Sequence, residues 1–113
     1  MTLHSPTSPT ALPPTNAEGF LDSHTDWSED VCRELARREG IELSESHWEI
    51  LHLLRRYYEQ FDSSPAMRAL VKYVKLNLGE DKGRSIYLLK LFPESPARVA
   101  SKLAGLPKPA NCL

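Results

Sequence analysis

The feature that most constrains the fold of this 113-residue chain is an alternation of helix-starting and helix-stopping residues from Trp27 onward. Ser28 and Ser44 each precede a run of apolar residues spaced three and four apart, and serine is a preferred N-cap. Gly40 and Gly105 follow such runs, where a glycine in the left-handed conformation commonly ends a helix. The sequence therefore predicts an all-α fold, a bundle of several short helices.

The apolar spacing predicts where each helix lies. The helix that starts at Ser44 carries apolar residues on two sides, which favours a central position in the bundle. Ser64–Pro65 and Ser95–Pro96 each combine a capping residue with a proline suited to the first helical position. A further helix is predicted over 82–92, ended by Pro93. The inward faces are predicted to carry Val31, Leu35, Trp48, Leu51, Leu54, Tyr58, Phe61, Met67, Leu70, Val71, Val74, Leu78, Val99 and Leu103.

The two ends of the chain differ from the helical middle. Residues 1–17 are rich in Pro, Ser and Thr, and a segment with so few large apolar side chains cannot offset the entropy lost on ordering. We therefore predict a disordered N-terminal segment at 1–17 and one helical bundle at 18–104. Pro107 and Pro109 forbid helix and favour extended geometry, so 105–113 is predicted to be a stiff, mobile C-terminal arm.

The net charge of −1 conceals an asymmetry between the halves of the chain. Residues 1–65 hold 12 acidic and 5 basic residues, whereas residues 66–113 hold 3 acidic and 9 basic residues. The basic half indicates an acidic partner or RNA, or else a salt-bridged surface. No apolar run approaches the ~18 residues of a membrane span, and no secretory signal is recognisable. We expect a cytoplasmic protein with reduced cysteines and no membrane contact.

Two other kinds of site were weighed. Arg68, Lys72 and Lys75 form a basic stripe on one predicted helix, which a helix-turn-helix nucleic-acid-binding module could use. The stripe lacks Asn or Gln at base-reading positions, and it is also typical of the solvated face of a bundle. His47 and His52 are five residues apart, whereas two ligands on one helical face are four apart, so no metal or other cofactor is predicted.

The two cysteines are predicted to play different roles. Cys32 lies among core positions, which indicates a buried, inert thiol. Cys112 follows a helix-stopping glycine and two prolines, so the arm would hold its thiol away from the bundle. A thiolate on a mobile arm suits thiol exchange or sulfur transfer. The alternative is an incidental cysteine in a frayed tail.

Several blocks of sequence resemble the DsrC/TusE family of sulfur carriers, and together they cover residues 18–113. They are EGFL, LSESHWEIL, SSPAMRALVKYV, GEDKGRSIYLLKLFP and SPARVASKLAGLPKPANCL. The resemblance implies an orthogonal helical bundle with a flexible C-terminal arm. It also implies a small N-terminal β-hairpin, whose presence here is open because Pro-rich sequence occupies residues 1–16. Carried onto this chain, the resemblance makes Cys112 the persulfide carrier of a sulfurtransferase-type protein without independent turnover.

Ser101 distinguishes two branches of that family. DsrC-type members, which serve dissimilatory sulfite reductase, have a second cysteine at the position that Ser101 occupies. TusE-type members have a single arm cysteine and relay sulfur toward 2-thiouridine in tRNA, which is the better match. The implied partners are a multisubunit sulfur donor and a tRNA thiouridylase, with sulfite reductase or DsrEFH-like proteins as the alternative.

Two basic residues are candidates to assist Cys112. Arg68 is expected to hold the persulfide anion, since a guanidinium donates several hydrogen bonds. Lys108 is expected to steer the arm into an acidic partner cleft. For each, the alternative is a solvated surface residue that serves only solubility.

Overall fold

The computed structural model of the protein describes residues 11–110, which form five α-helices. The helices are α1 (Glu29–Arg38), α2 (Glu45–Phe61), α3 (Met67–Leu78), α4 (Ser85–Leu91) and α5 (Pro96–Leu103), preceded by a 3-10 turn at His24–Asp26. The predicted helical fold is confirmed. None of the helices in the described part of the chain is long and apolar enough to span a membrane.

Local capping explains the first helix boundaries. The Ser28 hydroxyl accepts a hydrogen bond from the Val31 backbone at 3.2 Å, and Gly40 ends the helix with φ +73°. Ser44 and His47 form a reciprocal capping box at the start of α2. These boundaries agree with the prediction because they depend on contacts within a few residues.

Two predicted helix starts are wrong. α3 begins at Met67 with Ala66 as its N-cap, and the Ser64 hydroxyl donates instead to the Pro107 carbonyl at 2.5 Å. A contact with the distant arm therefore replaces the predicted local cap. α4 begins at Ser85, three residues later than predicted, because Gly83 lies directly against the backbone of the preceding helix.

The central helix of the bundle is α5, whereas the sequence pattern favoured α2. α5 packs against each of the other four helices, and only Arg98 among its residues is not buried. Ala97 and Ala100 keep its surface narrow, so that neighbouring helices can approach closely. The largest fully buried side chains outside α5 include Phe20, Ile50, Leu51, Leu53, Leu54, Leu70, Leu88, Phe92 and Leu106.

A compact turn precedes the helices. Thr15 and Leu21 form an isolated antiparallel bridge, which is the only strand-like pairing within residues 11–110. The Asn16 side chain accepts from the backbones of Glu18 and Phe20, which closes the turn. Where the resemblance implies a β-hairpin, the structure has this single bridge, and Leu12, inside the segment predicted to be disordered, packs against the core. Residues 1–10 lie outside the described part, and disorder there stays a prediction.

The first residues of the arm lie against the bundle. Leu106 is buried in the core and Pro109 is also buried, whereas the intervening Pro107 and Lys108 are exposed. The mobility of the arm stays a prediction. Cys112 and its two neighbours lie outside the described residues.

Candidate functional site

The arm starts at a sharp reversal at the end of α5. Gly105 adopts φ +77°, and the Leu106 backbone N–H donates to the Ser101 carbonyl at 2.9 Å. A Cβ atom at Gly105 would lie 2.5 Å from Cδ1 of Trp27. Glycine is therefore required twice, for the left-handed backbone and for the close approach of the indole.

Trp27 and Arg55 hold the last carbonyls of α5. The Trp27 indole N–H donates to the Leu103 carbonyl at 2.8 Å, and the Arg55 guanidinium donates to the Ala104 carbonyl at 2.9 Å. The guanidinium also stacks 4.4 Å above the indole ring. The last carbonyls of a helix have no hydrogen-bond donor within the helix. The Trp27 and Arg55 side chains provide the missing donors. We call Trp27, Arg55 and Gly105 the arm base.

Two further contacts hold the arm beyond its base. Ser64 donates to the Pro107 carbonyl, as described above, on one side of the arm. On the other side, Lys108 Nζ lies 3.2 Å from the Glu18 carboxylate, which also lies 3.9 Å from the Arg98 guanidinium. Lys108 thus forms an ion pair with the N-terminal turn.

Arg68 lies on the exposed surface of α3, four residues after Ser64. Its guanidinium forms no ion pair or hydrogen bond with another residue of 11–110. The Ser64 contact with Pro107 brings the arm past the start of this helix. No contact between Arg68 and residues 105–110 of the arm is present, so a role for Arg68 stays a prediction.

The prediction that Cys32 is a buried thiol is confirmed. Cys32 is 0% exposed, and burial raises its pKa from 9.0 to about 12. A thiol that stays protonated is a poor nucleophile. Cys32 is therefore unsuited to sulfur transfer.

Ser101 also lies in the core. It is 0% exposed, and its hydroxyl has no hydrogen-bond partner among residues 11–110. Ser101 is thus an internal residue of the central helix.

The histidines that were weighed as ligands serve other contacts. His47 bonds Ser44 through Nδ1 and the Leu91 carbonyl through Nε2, the latter at 2.8 Å. His52 lies 3.2 Å from the Glu29 carboxylate. Within residues 11–110, no three His, Cys, Asp or Glu side chains are grouped so that they could hold a metal ion.

Trp27 and Arg55, the two side chains of the arm base, were not predicted from the sequence. Trp27 carries a polar N–H just before the Ser28 cap, and Arg55 interrupts the apolar residues of α2. Both features could have indicated a tertiary hydrogen bond, because a buried indole N–H and a basic side chain beside core residues each need a partner. The partners themselves lie far away in the sequence.

The fold and these contacts define a class of helical-bundle protein in which the central helix continues into a C-terminal segment that lies against the bundle as far as Pro109. Comparison with known proteins identifies the family within that class. Residues 11–113 match the family described as DsrC like protein, and the chain belongs to this family.

Curated relatives and solved structures agree with this assignment. The chain is 54% identical over 99 residues to "Sulfurtransferase TusE" of Sodalis glossinidius, covering 88% of this chain and 92% of the relative. It is 50% identical to the Salmonella typhimurium protein of the same name, covering 88% and 91%. The solution structure of Allochromatium vinosum DsrC matches with a TM-score of 0.79 and 45% identity, covering 87% and 88%. The oxidized gamma-subunit of dissimilatory sulfite reductase (DsrC) from Archaeoglobus fulgidus matches with a TM-score of 0.75 and 38% identity, covering 89% and 92%.

Proposed function

We propose that this protein is a sulfur carrier that accepts persulfide sulfur on Cys112 and passes it to a downstream acceptor, in the synthesis of 2-thiouridine in tRNA. The observation that carries the proposal is the arm base, which anchors the start of the arm to the central helix. Cys112 follows the buried Pro109 by three residues, so it stays within about 11 Å of that proline while the proline keeps its place. The identity of about half with proteins named sulfurtransferase TusE supports the same role.

The proposed chemistry is two thiol–persulfide exchanges. The Cys112 thiolate attacks the outer sulfur of a donor persulfide, a new S–S bond forms, and the donor cysteine leaves as a thiolate. An acceptor cysteine thiolate then attacks the outer sulfur of the Cys112 persulfide, and the Cys112 thiolate is released. Each step breaks one S–S bond and forms another, so the cycle needs no oxidant or reductant.

Two basic side chains are proposed to assist this exchange. Arg68 would hold the persulfide anion when the arm lies along α3, because its guanidinium is free of other partners in residues 11–110. Lys108 would exchange its Glu18 partner for a carboxylate in the cleft of a partner protein. Both roles follow from position and charge.

The branch of the family bears on the proposed pathway. Ser101 cannot form a disulfide with Cys112, so a cycle based on an intramolecular disulfide is closed to this chain. The proposed partners are therefore a multisubunit persulfide donor and a tRNA thiouridylase.

The carrier function is tested by mass spectrometry after incubation with a low-molecular-weight persulfide. We expect the wild-type protein to gain about 32 Da, one sulfur atom, and Cys112→Ser to gain nothing. The matched control is Cys32→Ala, which should load like the wild type because Cys32 is buried and protonated. A sulfur adduct on Cys112→Ser, or none on the wild type, would contradict the proposal.

The tRNA pathway is tested separately in cells. A Salmonella typhimurium strain that lacks its TusE would receive this chain or its Cys112→Ser variant. We expect only the wild-type chain to restore 2-thiouridine in tRNA, measured by nucleoside mass spectrometry. Loading in vitro without restoration would favour another sulfur pathway.

A further inference from the structure

A patch of exposed apolar side chains lies where α2 and α3 meet. Leu76 is 74% exposed, and Phe61, which was predicted to face inward, is 50% exposed because it ends α2 at the edge of the bundle. Apolar side chains that are exposed together, unlike single ones, often mark an interaction site. The Phe61 ring lies 6.3 Å from that of Tyr73, and Tyr73 is one helical turn from Leu76 on α3. We call Phe61, Tyr73 and Leu76 the α2–α3 patch.

Basic side chains border this patch. Lys72 lies one turn before Leu76 on α3, Lys75 is adjacent to Leu76, and Arg68 lies one turn before Lys72. All three basic side chains are exposed, and none forms an ion pair with another residue of 11–110. Their positive charge is therefore available to a partner rather than neutralised within the bundle.

The patch adjoins the route of the arm. Phe61 ends α2, and Ser64, three residues later, holds the Pro107 carbonyl of the arm. Cys112 follows Pro107 by five residues, so the two lie within about 18 Å of each other along an extended chain. A protein that takes the arm into a cleft must therefore come close to this surface.

We propose that the α2–α3 patch docks the persulfide donor that loads Cys112, through an apolar surface that carries carboxylates opposite α3. This inference rests on the proposed function and names the chemistry of the partner surface. Leu76 and the two other patch side chains supply the apolar centre, and the basic side chains set the orientation by charge complementarity. Docking at this site would present the arm to the partner.

The side chains favour a protein partner over RNA. The border of the patch carries charges of both signs, because the exposed Glu59 and Asp62 are close to Phe61 in the sequence whereas the basic side chains are on α3. A phosphate backbone is negative along its whole length and would be repelled at the end of α2. A protein surface can place carboxylates opposite α3 and basic side chains opposite the end of α2.

The test measures binding to the multisubunit persulfide donor purified from Salmonella typhimurium, with Cys112→Ser as background so that no covalent bond forms. We expect Leu76→Ser to weaken binding about tenfold, as for a central interface residue. Lys72→Glu should weaken it by a similar factor, because the reversed charge would face the carboxylates of the partner. Ile86→Ser is the matched control, since Ile86 is 59% exposed on α4 outside the patch. It should change the dissociation constant less than twofold. Circular dichroism would confirm that each variant folds.

Other outcomes would overturn the proposal. These are an undetectable affinity of the background protein for the donor, equal losses in Leu76→Ser and Ile86→Ser, or no loss in either patch variant. Self-association that Leu76→Ser abolishes, or tRNA binding that Lys72→Glu abolishes while donor binding is unchanged, would assign the patch to a second copy or to RNA. Loading by a low-molecular-weight persulfide needs no docking, so it separates failure of the carrier chemistry from failure of this surface.

Discussion

α5 and α3 are helices of the same bundle with opposite relations to solvent. α3 has 12 residues, of which only Leu70 and Val74 are buried. α5 has 8 residues, and all except Arg98 are buried. The shorter helix thus supports the core and the arm, while the longer one leaves most of its surface for solvent or a partner. Length is therefore a poor guide to which helix the fold depends on.

The largest expected effect is the difference in unfolding free energy when leucine is replaced by alanine in α5 and in α3. Leu103→Ala in α5 removes a fully buried side chain and should lower the free energy of unfolding by about 3 kcal/mol. Leu76→Ala in α3 should change it by less than about 0.5 kcal/mol, because that side chain is largely solvated. Urea denaturation followed by circular dichroism measures both. Equal losses of unfolding free energy in the two variants would contradict the conclusion that α5 supports the core and α3 does not.

Gly105→Ala tests the end of α5. We expect a loss of about 2 kcal/mol in unfolding free energy, for two reasons. The alanine would have to adopt the left-handed backbone of Gly105, and its Cβ atom would collide with Trp27. Gly40→Ala is the control, since Gly40 has a similar φ of +73° but nothing within 4 Å of the added atom. It should cost about 1 kcal/mol. Equal losses would show that backbone strain alone matters at Gly105.

Arg55→Met tests whether the arm base stabilises α5 through its last carbonyls. The variant keeps the apolar stem but removes the donors to the Ala104 and His24 carbonyls. We expect a loss of about 1.5 kcal/mol. The neighbouring Arg56 is exposed, so Arg56→Met should have almost no effect. Thermal and urea unfolding measure the stability of both variants. Equal stabilities would contradict the proposal that Arg55 stabilises the end of α5.

Ser101→Ala should have the smallest effect, although Ser101 is fully buried in α5. Its hydroxyl has no hydrogen-bond partner among residues 11–110, so removing it relieves an unsatisfied group. The unfolding free energy should stay within about 1 kcal/mol of the wild type or rise slightly. A loss as large as that of Leu103→Ala would show that the hydroxyl makes a stabilising bond.

The predictions from sequence succeeded where the controlling contacts are local. Ser28, Ser44, Gly40 and Gly105 marked helix ends correctly, because capping and left-handed glycines act within a few residues. Cys32 was recognised as buried from the apolar residues at helical spacing around it. The start of α3 was misplaced, because Ser64 carried a capping pattern but found a partner 43 residues away.

The candidate site was predictable only in part. The glycine and prolines of the arm are visible in the sequence and pointed to Cys112, and the family resemblance gave that cysteine the role of persulfide carrier. Arg68 and Lys108 were chosen by their charge and position. The partners of Trp27 and Arg55 were not visible, because they are backbone carbonyls, which every residue has. The ion pair between Lys108 and Glu18 joins the two ends of the described chain and leaves no pattern in either segment.

The helical class and most helix boundaries thus follow from the order of residues alone, since hydrogen bonds between near neighbours decide them. Tertiary packing alone decided that α5 is central, that an indole and a guanidinium hold its last carbonyls, and that Ser64 holds the arm. Those choices depend on contacts between residues as many as 76 positions apart. Such contacts exist only after the helices have packed, because only then do the donors reach the otherwise unpaired carbonyls.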